Sequence, residues 1–151
     1  MSKKKLPDAE LKAFLDENHD RFNNKTFIEN DPIVVPHHFS KKEDIEIAGF
    51  FAATIAWGNR KSIIGNALDL MRRMDEAPYD FVTGHSKADL KRLDHFVHRT
   101  FNSGDCKFFV KALQTIYLRH GGLEAAFAHG KHLKETIFNF RELFLQTAHA
   151  A

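Results

Sequence analysis

Apolar residues recur at helical spacing along most of the chain. The first pattern predicts a helix from Asp8 to Phe22, with Leu11, Phe14 and Leu15 on the same face. Similar patterns follow towards the C-terminus, and alternation typical of strands is too short to predict a sheet. We therefore expect one all-α domain, covering residues 1–151, in which about seven or eight helices pack orthogonally.

A central, buried helix is predicted directly after a capping box. Ser40 and Glu43 have the spacing at which the hydroxyl and the carboxylate each accept a hydrogen bond from a backbone N–H group of the first turn. The helix is expected to run from Lys41 to about Trp57, and it is apolar on nearly every face. Gly49 lies among alanines on this helix, which predicts the close approach of another helix.

A polar corner, WGNRK, follows this helix. Gly58 is expected to end the buried helix, and Asn59 is expected to cap the next one. In one interpretation the indole of Trp57 stacks on bases while Arg60 and Lys61 contact phosphates. In the alternative, Trp57 belongs to the core and the two cations face solvent.

Residues 23–39 interrupt the helical pattern. The segment contains Pro32 and Pro36, and its apolar residues have no helical period. Proline removes a backbone donor and restricts the residue before it, which disfavours a helix across the segment. We expect an extended, non-helical segment that is nevertheless ordered.

A second polar connection, HRTFN, is expected before a helix that begins at Asp105. It carries His98 and Arg99, and it is bracketed by Phe96 and Phe101. Aromatic residues on both sides can hold a loop rigidly against the fold, which is a common way to present functional side chains. The alternative is an ordinary connection between helices in which Arg99 caps carbonyl groups.

The composition and the net charge exclude only a few classes of function. The chain of 151 residues has a formal net charge of +2, which is small for a nucleic-acid-binding domain. Its 15 phenylalanines predict a core with many aromatic contacts. Cys106 is the single cysteine, so the chain cannot form an intramolecular disulfide or a multi-cysteine metal site. No apolar run is long enough to span a bilayer, and we expect a cytoplasmic protein without a membrane partner.

Histidines that are close in sequence form three pairs: His37–His38, His95–His98 and His129–His132. Histidines three residues apart on a helix can bind a metal from one face, but such a site also needs a further converging ligand. The spacing indicates no such ligand, so we expect surface or half-buried histidines and no metal. Nucleotide-binding, zinc-protease and serine-nucleophile motifs are absent from the sequence, and neither a cofactor nor a catalytic residue is predicted.

Several segments resemble a family of bacterial proteins of unknown function. They read FIENDPIVVPHHFSKKEDIEIAGFFAATIAWGNRKSII, MDEAPYDFV, HRTFN, GGLEAAF and NFRELF, and the resemblance runs from about Phe14 to the C-terminus. Proteins of that family continue beyond the point where this chain stops. Their later part resembles the helix-hairpin-helix DNA glycosylases, including an aspartate where those enzymes keep their catalytic one.

The resemblance implies the N-terminal part of a glycosylase-like fold. In those enzymes the corner after the buried helix often supplies a residue that fills the gap left by a flipped base. Trp57 falls at about that place by position and not by identity, since glycosylases typically have glutamine or another residue there. The hairpin and the aspartate that glycosyl chemistry requires are missing from this sequence. The resemblance therefore implies a truncated chain that binds duplex DNA without catalytic activity of its own.

Six residues are expected to contact DNA: Trp57, Asn59, Arg60, Lys61, His98 and Arg99. An alternative function from a different class is a helical protein-interaction module without nucleic-acid binding. Such a module would use the phenylalanine-rich face of the last helix, near Phe140 and Phe144, to bind a protein partner or a second copy of the chain.

Overall fold

Helices make up nearly all of the regular structure in the computed structural model, which describes residues 6–128 and 130–149, with residues 147–149 described by their backbone alone. The eight α-helices in this part of the chain are α1 Asp8–Phe22, α2 Lys25–Ile28, α3 Lys42–Thr54, α4 Arg60–Arg73, α5 Pro78–Gly84, α6 Ser103–Arg119, α7 Leu123–Phe127 and α8 Leu133–His149. Three 3-10 helices lie at Pro32–Val34, Pro36–His38 and Asp89–Leu93. Strands β1 Val97–His98 and β2 Phe101–Asn102 form a short antiparallel hairpin. The predicted all-α class is confirmed, and none of the described helices has the length and apolar character needed to cross a membrane.

Helix α3 lies at the centre of the core, as its sequence predicts. Its fully buried residues include Ile47, Ala48 and Phe51, and it contacts α4, α5, α7 and the 3-10 helix at Pro36–His38. Helix α6 packs against α5 and α8 on another side of the core. The helix ends at Thr54, three residues before the predicted end, because the chain turns at residues 55–57 to reach the polar corner.

The predicted capping box at the start of α3 is not formed. The helix begins at Lys42, one residue later than expected, so Ser40 lies outside the N-cap position and cannot pair with the first turn. Lys41 occupies the N-cap without a side-chain hydrogen bond. Another residue of this turn has a capping role elsewhere, because the buried carboxylate of Asp44 accepts a hydrogen bond from the Tyr79 N–H group at the start of α5, at 2.8 Å.

The neighbour of Gly49 is the 3-10 helix at Pro36–His38 and not a long α-helix. A Cβ atom placed on Gly49 would lie 3.8 Å from Pro36 Cβ, an ordinary van der Waals distance. The predicted close approach of another helix, for which a glycine would be needed, is therefore not formed here.

The prediction of an extended conformation for residues 23–39 is wrong, because the segment folds into α2 and two 3-10 helices. The side chains of Asn24 and Asp31 each accept a hydrogen bond from a backbone N–H group of the turn that follows. Pro32 and Pro36 begin the two 3-10 helices. Proline is well suited to the first position of a helix, where its missing N–H has no intrahelical partner. Short capped turns of this kind carry no helical period for a sequence pattern to detect.

Phenylalanine rings from α3, α6 and α8 form the aromatic core that the composition predicts. The ring centroids of Phe109 and Phe144 lie 4.9 Å apart, and Phe50 lies 5.5 Å from Phe144 and 5.7 Å from Phe140. Phe140 and Phe144 are 8% and 6% exposed. The interaction surface predicted near these two residues is therefore not available, because they attach α8 to the core.

Candidate nucleic-acid interface

The fold brings together the two polar connections, WGNRK at 57–61 and HRTFN at 98–102. The indole of Trp57 meets the ring of His98 edge to face, with 5.3 Å between the ring centroids. The His98 Nε2 atom also lies 3.2 Å from the carbonyl oxygen of Trp57. Two segments that are separated in sequence by α4, α5 and the 3-10 helix at Asp89–Leu93 are thus in contact.

His98 supports this surface from beneath. Its ring is 3% exposed, and the Asn66 Nδ2 atom lies 2.7 Å from His98 Nδ1. Because the Trp57 carbonyl oxygen can only accept, the geometry assigns the hydrogen to Nε2 and leaves Nδ1 to accept from Asn66. The predicted direct contact of His98 with DNA is corrected by this burial, since both ring nitrogens are already engaged inside the protein.

Trp57 is neither a core residue nor a fully exposed one, so it lies between the two interpretations of the sequence, packing and base stacking. Its side chain contacts His98, yet the residue is 38% exposed. The backbone is fixed by a hydrogen bond from the Trp57 N–H group to the Ile55 carbonyl oxygen, at 2.8 Å. A large aromatic side chain that is held on one side and exposed on the other is suited to stacking contacts.

Arg99 lies directly against the glycine that follows Trp57. A Cβ atom on Gly58 would be 2.8 Å from Arg99 Cζ, and the φ angle of Gly58 is 106°. Arg99 itself has a φ of 55°, in the left-handed region, at the turn of the hairpin. It is exposed and forms no ion pair within residues 6–128 and 130–149. Its guanidinium is therefore held at the corner without a protein carboxylate to neutralise it.

The start of α4 places two more cations at the same corner. Asn59 caps the helix, as predicted, by accepting a hydrogen bond from the Ser62 N–H group at 3.2 Å. Arg60 Nε lies 4.0 Å from the carboxylate of Asp31, whereas Lys61 is exposed and has no ion pair in the described part of the chain. The N-terminal N–H groups of this 14-residue helix add partial positive charge. We call Trp57, Asn59, Arg60, Lys61 and Arg99 the corner surface.

A groove of about 500 Å³ adjoins the corner surface between α3 and α4. Its wall on α3 consists of small residues, among them Gly49, Ala52 and Ala53. Asp31 and Arg60 also line it, so their ion pair lies beside the groove. Arg60 therefore belongs both to the corner surface and to the lining of this mainly apolar groove.

Asn66 is a residue of the site that the sequence analysis missed. It lies on α4 between Ile63 and Ala67, both buried, and its amide holds the ring of His98. A polar side chain within the apolar stripe of an amphipathic helix is the signal that could have identified it, because a partly buried amide requires a partner.

Arg73, at the end of α4, was also missed, and it fixes the approach to the hairpin. Its guanidinium donates to the carbonyl oxygens of Arg92 and Asp94, at 2.7 and 3.0 Å, and lies over the ring of Phe96. The Asp94 carboxylate pairs with Lys107 on α6, and this hydrogen bond keeps the pKa of Asp94 below its ordinary value. The hairpin that carries Arg99 is therefore anchored to two helices.

The described residues give little support for a metal site or for a reactive cysteine. No group of three or more histidine, cysteine, aspartate or glutamate side chains within residues 6–128 and 130–149 is arranged to hold a metal ion. In the pair His95–His98 the second ring is buried, and the pair His129–His132 includes a residue outside the described part of the chain. Cys106 is fully buried, and burial raises the pKa of its thiol to about 12, which makes it a poor nucleophile.

The model of a family described as "Protein of unknown function (DUF2400)" matches residues 31–151, and the chain belongs to this family. The match covers α3 to α8 and every residue of the corner surface, and it begins after α1 and α2. No significant match is found among the curated proteins or the solved structures.

Proposed function

We propose that the corner surface binds duplex DNA. The observation that carries this proposal is the exposed indole of Trp57 beside two cations, Arg99 and Lys61, that have no carboxylate partner in the described structure. Exposed aromatic and cationic side chains together are the combination that nucleic-acid surfaces use, because the ring stacks on bases while the cations neutralise phosphates.

Each residue of the corner surface has a separate role in this proposal. Trp57 stacks on an exposed base or base pair, and His98 orients it from beneath without touching DNA. Arg99 and Lys61 contact phosphates, and Arg60 can do so when it leaves Asp31. The oxygen of the Asn59 amide caps α4, which leaves its NH₂ group free to donate to a phosphate at the helix N-terminus.

The preferred DNA in this proposal is a duplex with a gap. An indole that is held by His98 on one side and exposed on the other fills an empty base position more readily than it separates two stacked bases, because the stacking energy has already been lost there. The resemblance of the corner to the helix-hairpin-helix glycosylases supports the same preference. No chemical step is included in the proposal, since the corner surface contains no acid, base or nucleophile poised for one.

Modest affinity is expected, because the net charge of the chain is only +2. With about three phosphates neutralised, the slope of log K against log salt concentration should be about −2.7. A strongly basic domain would show a much steeper salt dependence. The slope therefore measures how many cations of the corner surface contact phosphates.

The fluorescence of Trp57 tests the proposal directly, since the chain contains a single tryptophan. The protein is titrated with a short duplex that carries an abasic gap, with an intact duplex of the same sequence as the control. We expect a saturable change in emission and tighter binding of the gapped duplex. Lys61→Ala and Arg99→Ala should each weaken binding to both duplexes and reduce the salt slope by about 0.9.

Failure of the proposal would also be visible in this titration. Emission that does not change at any DNA concentration, from a protein that unfolds cooperatively, would exclude Trp57 from a DNA interface. Binding without any preference for the gap would retain the phosphate contacts and exclude the stacking role.

A further inference from the structure

The small-residue face of α3 lines the groove that lies between α3 and α4. Gly49, Ala52 and Ala53 recur on this face at helical spacing, and Ala53 is exposed. Ile63 and Ile33 also line the groove, and Ile33 is 47% exposed. The volume of about 500 Å³ lies within the range of small-molecule sites, roughly 300–1,000 Å³. The groove therefore offers a ligand an apolar surface and an isoleucine side chain to cover.

The two charged side chains that line the groove, Asp31 and Arg60, form an incompletely bonded pair. Arg60 Nε lies 4.0 Å from Asp31 Oδ2, which is beyond hydrogen-bond distance. The other carboxylate oxygen, Oδ1, accepts a hydrogen bond from the Ile33 N–H group at 3.1 Å. In the part of the chain that the structure describes, neither Oδ2 nor the guanidinium forms a hydrogen bond. An acceptor and a donor are thus available side by side at the groove.

The chemistry of this pair restricts the ligand that fits. The side chains of Asp31 and Arg60 are 24% and 60% exposed, and an ion pair this open contributes little to the fold, so a ligand can engage both groups at small cost. A ligand with one charge would be repelled by one member of the pair. A zwitterion would carry two charges into an apolar groove, which is costly. A neutral edge with an N–H donor next to an acceptor satisfies both groups without that cost.

We propose that the groove binds a free planar heterocycle that has an N–H donor next to a carbonyl acceptor, a class to which nucleosides belong. The N–H group of the ring donates to the Asp31 carboxylate, and the carbonyl oxygen accepts from the Arg60 guanidinium. The flat ring lies against the small-residue face of α3 and covers Ile33. A planar ring suits this face, because Gly49 and Ala53 carry no side-chain atom beyond Cβ.

Binding in the groove does not require that the corner surface binds DNA. The two sites share Arg60, and a guanidinium that contacts a phosphate is not available to a ring in the groove. The ligand of the groove is therefore a free nucleoside and not a base of bound DNA. Lys61 separates the two sites, because it does not line the groove. Lys61→Ala should weaken DNA binding and leave the Kd of the nucleoside within about twofold of the parent value.

An NMR titration of the full chain with thymidine tests the proposal, since the thymine ring carries an N–H group between two carbonyl groups. We expect saturable shifts in the backbone amide signals of Gly49, Ala53 and Gly58, which line the groove. The matched control ligand is 3-methylthymidine, which keeps the ring and the sugar but lacks the N–H donor. It should bind at least about tenfold more weakly, because the Asp31 carboxylate is then left without a donor.

Two variants assign the binding to the groove. Ala53→Leu fills the groove from an exposed position and should raise the Kd of thymidine by about tenfold or more. Ala13→Leu, at an exposed helical position outside the groove, is its control and should stay within about twofold of the parent. Asp31→Asn can keep the cap through its amide oxygen but turns an NH₂ group towards the ring. It should abolish the preference for thymidine over 3-methylthymidine.

Urea unfolding of each variant verifies that the fold is preserved. Thymidine that causes no saturable shift at concentrations up to about 10 mM would overturn the proposal, because a ligand of this size that fits its site binds more tightly than that. Equal affinities of the parent protein for thymidine and 3-methylthymidine would overturn it as well. So would a thymidine affinity that Ala53→Leu leaves unchanged.

Discussion

The guanidinium of Arg99 occupies the space that a side chain on Gly58 would need. A Cβ atom at position 58 would lie 2.8 Å from Arg99 Cζ, and the φ of Gly58 is 106°. The guanidinium can lie in this position because residue 58 has no side chain, and glycine also accepts the positive φ without strain. The position of Arg99 beside Trp57 therefore depends on a glycine 41 positions earlier in the chain.

Gly58→Ala should lower the free energy of unfolding by about 1–3 kcal/mol, because alanine is strained at this φ and meets the guanidinium of Arg99. Urea unfolding measures the loss. The emission of Trp57 should also change, since the displaced guanidinium alters its surroundings. Gly65→Ala is the matched control: nothing lies within 4 Å of a Cβ at this exposed position in α4. It should raise stability by about 0.5–1 kcal/mol, and equal effects of the two substitutions would contradict the argument.

His98→Ala should lower the free energy of unfolding by about 1–3 kcal/mol, because the Trp57 carbonyl oxygen and the Asn66 amide lose their shared partner in a buried environment. Loss of the edge-to-face contact should shift the emission of Trp57 as well. His120→Ala, at an exposed position after α6, serves as the control and should stay within about 0.5 kcal/mol of the parent. A variant at position 98 with parent stability would show that the ring does not support the corner.

Asp31→Asn should increase affinity for DNA by about two- to fivefold, because it frees Arg60 and removes a negative charge beside the corner surface. The fold should be preserved, since the asparagine oxygen can still accept the hydrogen bond from the Ile33 N–H group. The salt slope should become steeper by up to about 0.9. Asp80→Asn also removes an exposed, ion-paired carboxylate, in this case from Lys41, and should leave affinity unchanged. Equal gains from both substitutions would reflect net charge alone.

Helices with a strong apolar period could be predicted closely from the sequence. Helix α1 has the predicted bounds, and Asn59 caps α4 as expected. Predictions failed where local hydrogen bonds decide the conformation. Residues 23–39 fold into short turns capped by Asn24 and Asp31, and Ser40 misses the N-cap of α3 by one residue. A periodicity analysis does not register turns this short, and a capping motif depends on the register of a single residue.

The sequence predicted where the candidate site lies more accurately than which residues form it. Both polar connections were identified, but their contact involves α4, whose Asn66 side chain holds His98 of the hairpin. His98 was predicted at the surface because it begins the polar HRTFN segment, yet its ring is buried against Asn66 and the Trp57 carbonyl oxygen. Contacts between residues that are so far apart in sequence cannot be predicted from a local pattern. A polar residue within an apolar stripe, as at position 66, is the one local sign of it.

The ion pair of Asp94 and Lys107 makes stability depend on pH in the acidic range. The hydrogen bond from Lys107 keeps the pKa of Asp94 below its ordinary value in the folded protein. The resulting stabilisation is complete above the unfolded-state pKa of about 3.9 and is lost as the pH falls through the folded-state pKa. Urea unfolding at about pH 6 and about pH 2 should therefore show a smaller decrease for Asp94→Asn than for the parent. Lys107→Gln should give the same reduction, and an unchanged decrease in either variant would exclude the pair as a source of pH dependence.

Two phenylalanines on α8 should differ sharply in their contribution to the stability of the fold. Phe144 is 6% exposed within the aromatic core, so Phe144→Ala should lower the free energy of unfolding by about 3–5 kcal/mol. Phe138 is 59% exposed, so Phe138→Ala should change the free energy of unfolding by less than about 0.5 kcal/mol. Urea unfolding of the two variants measures the difference. An alanine at position 138 that destabilises the protein as much as one at position 144 would contradict the attachment of α8 to the core through the face that carries Phe144.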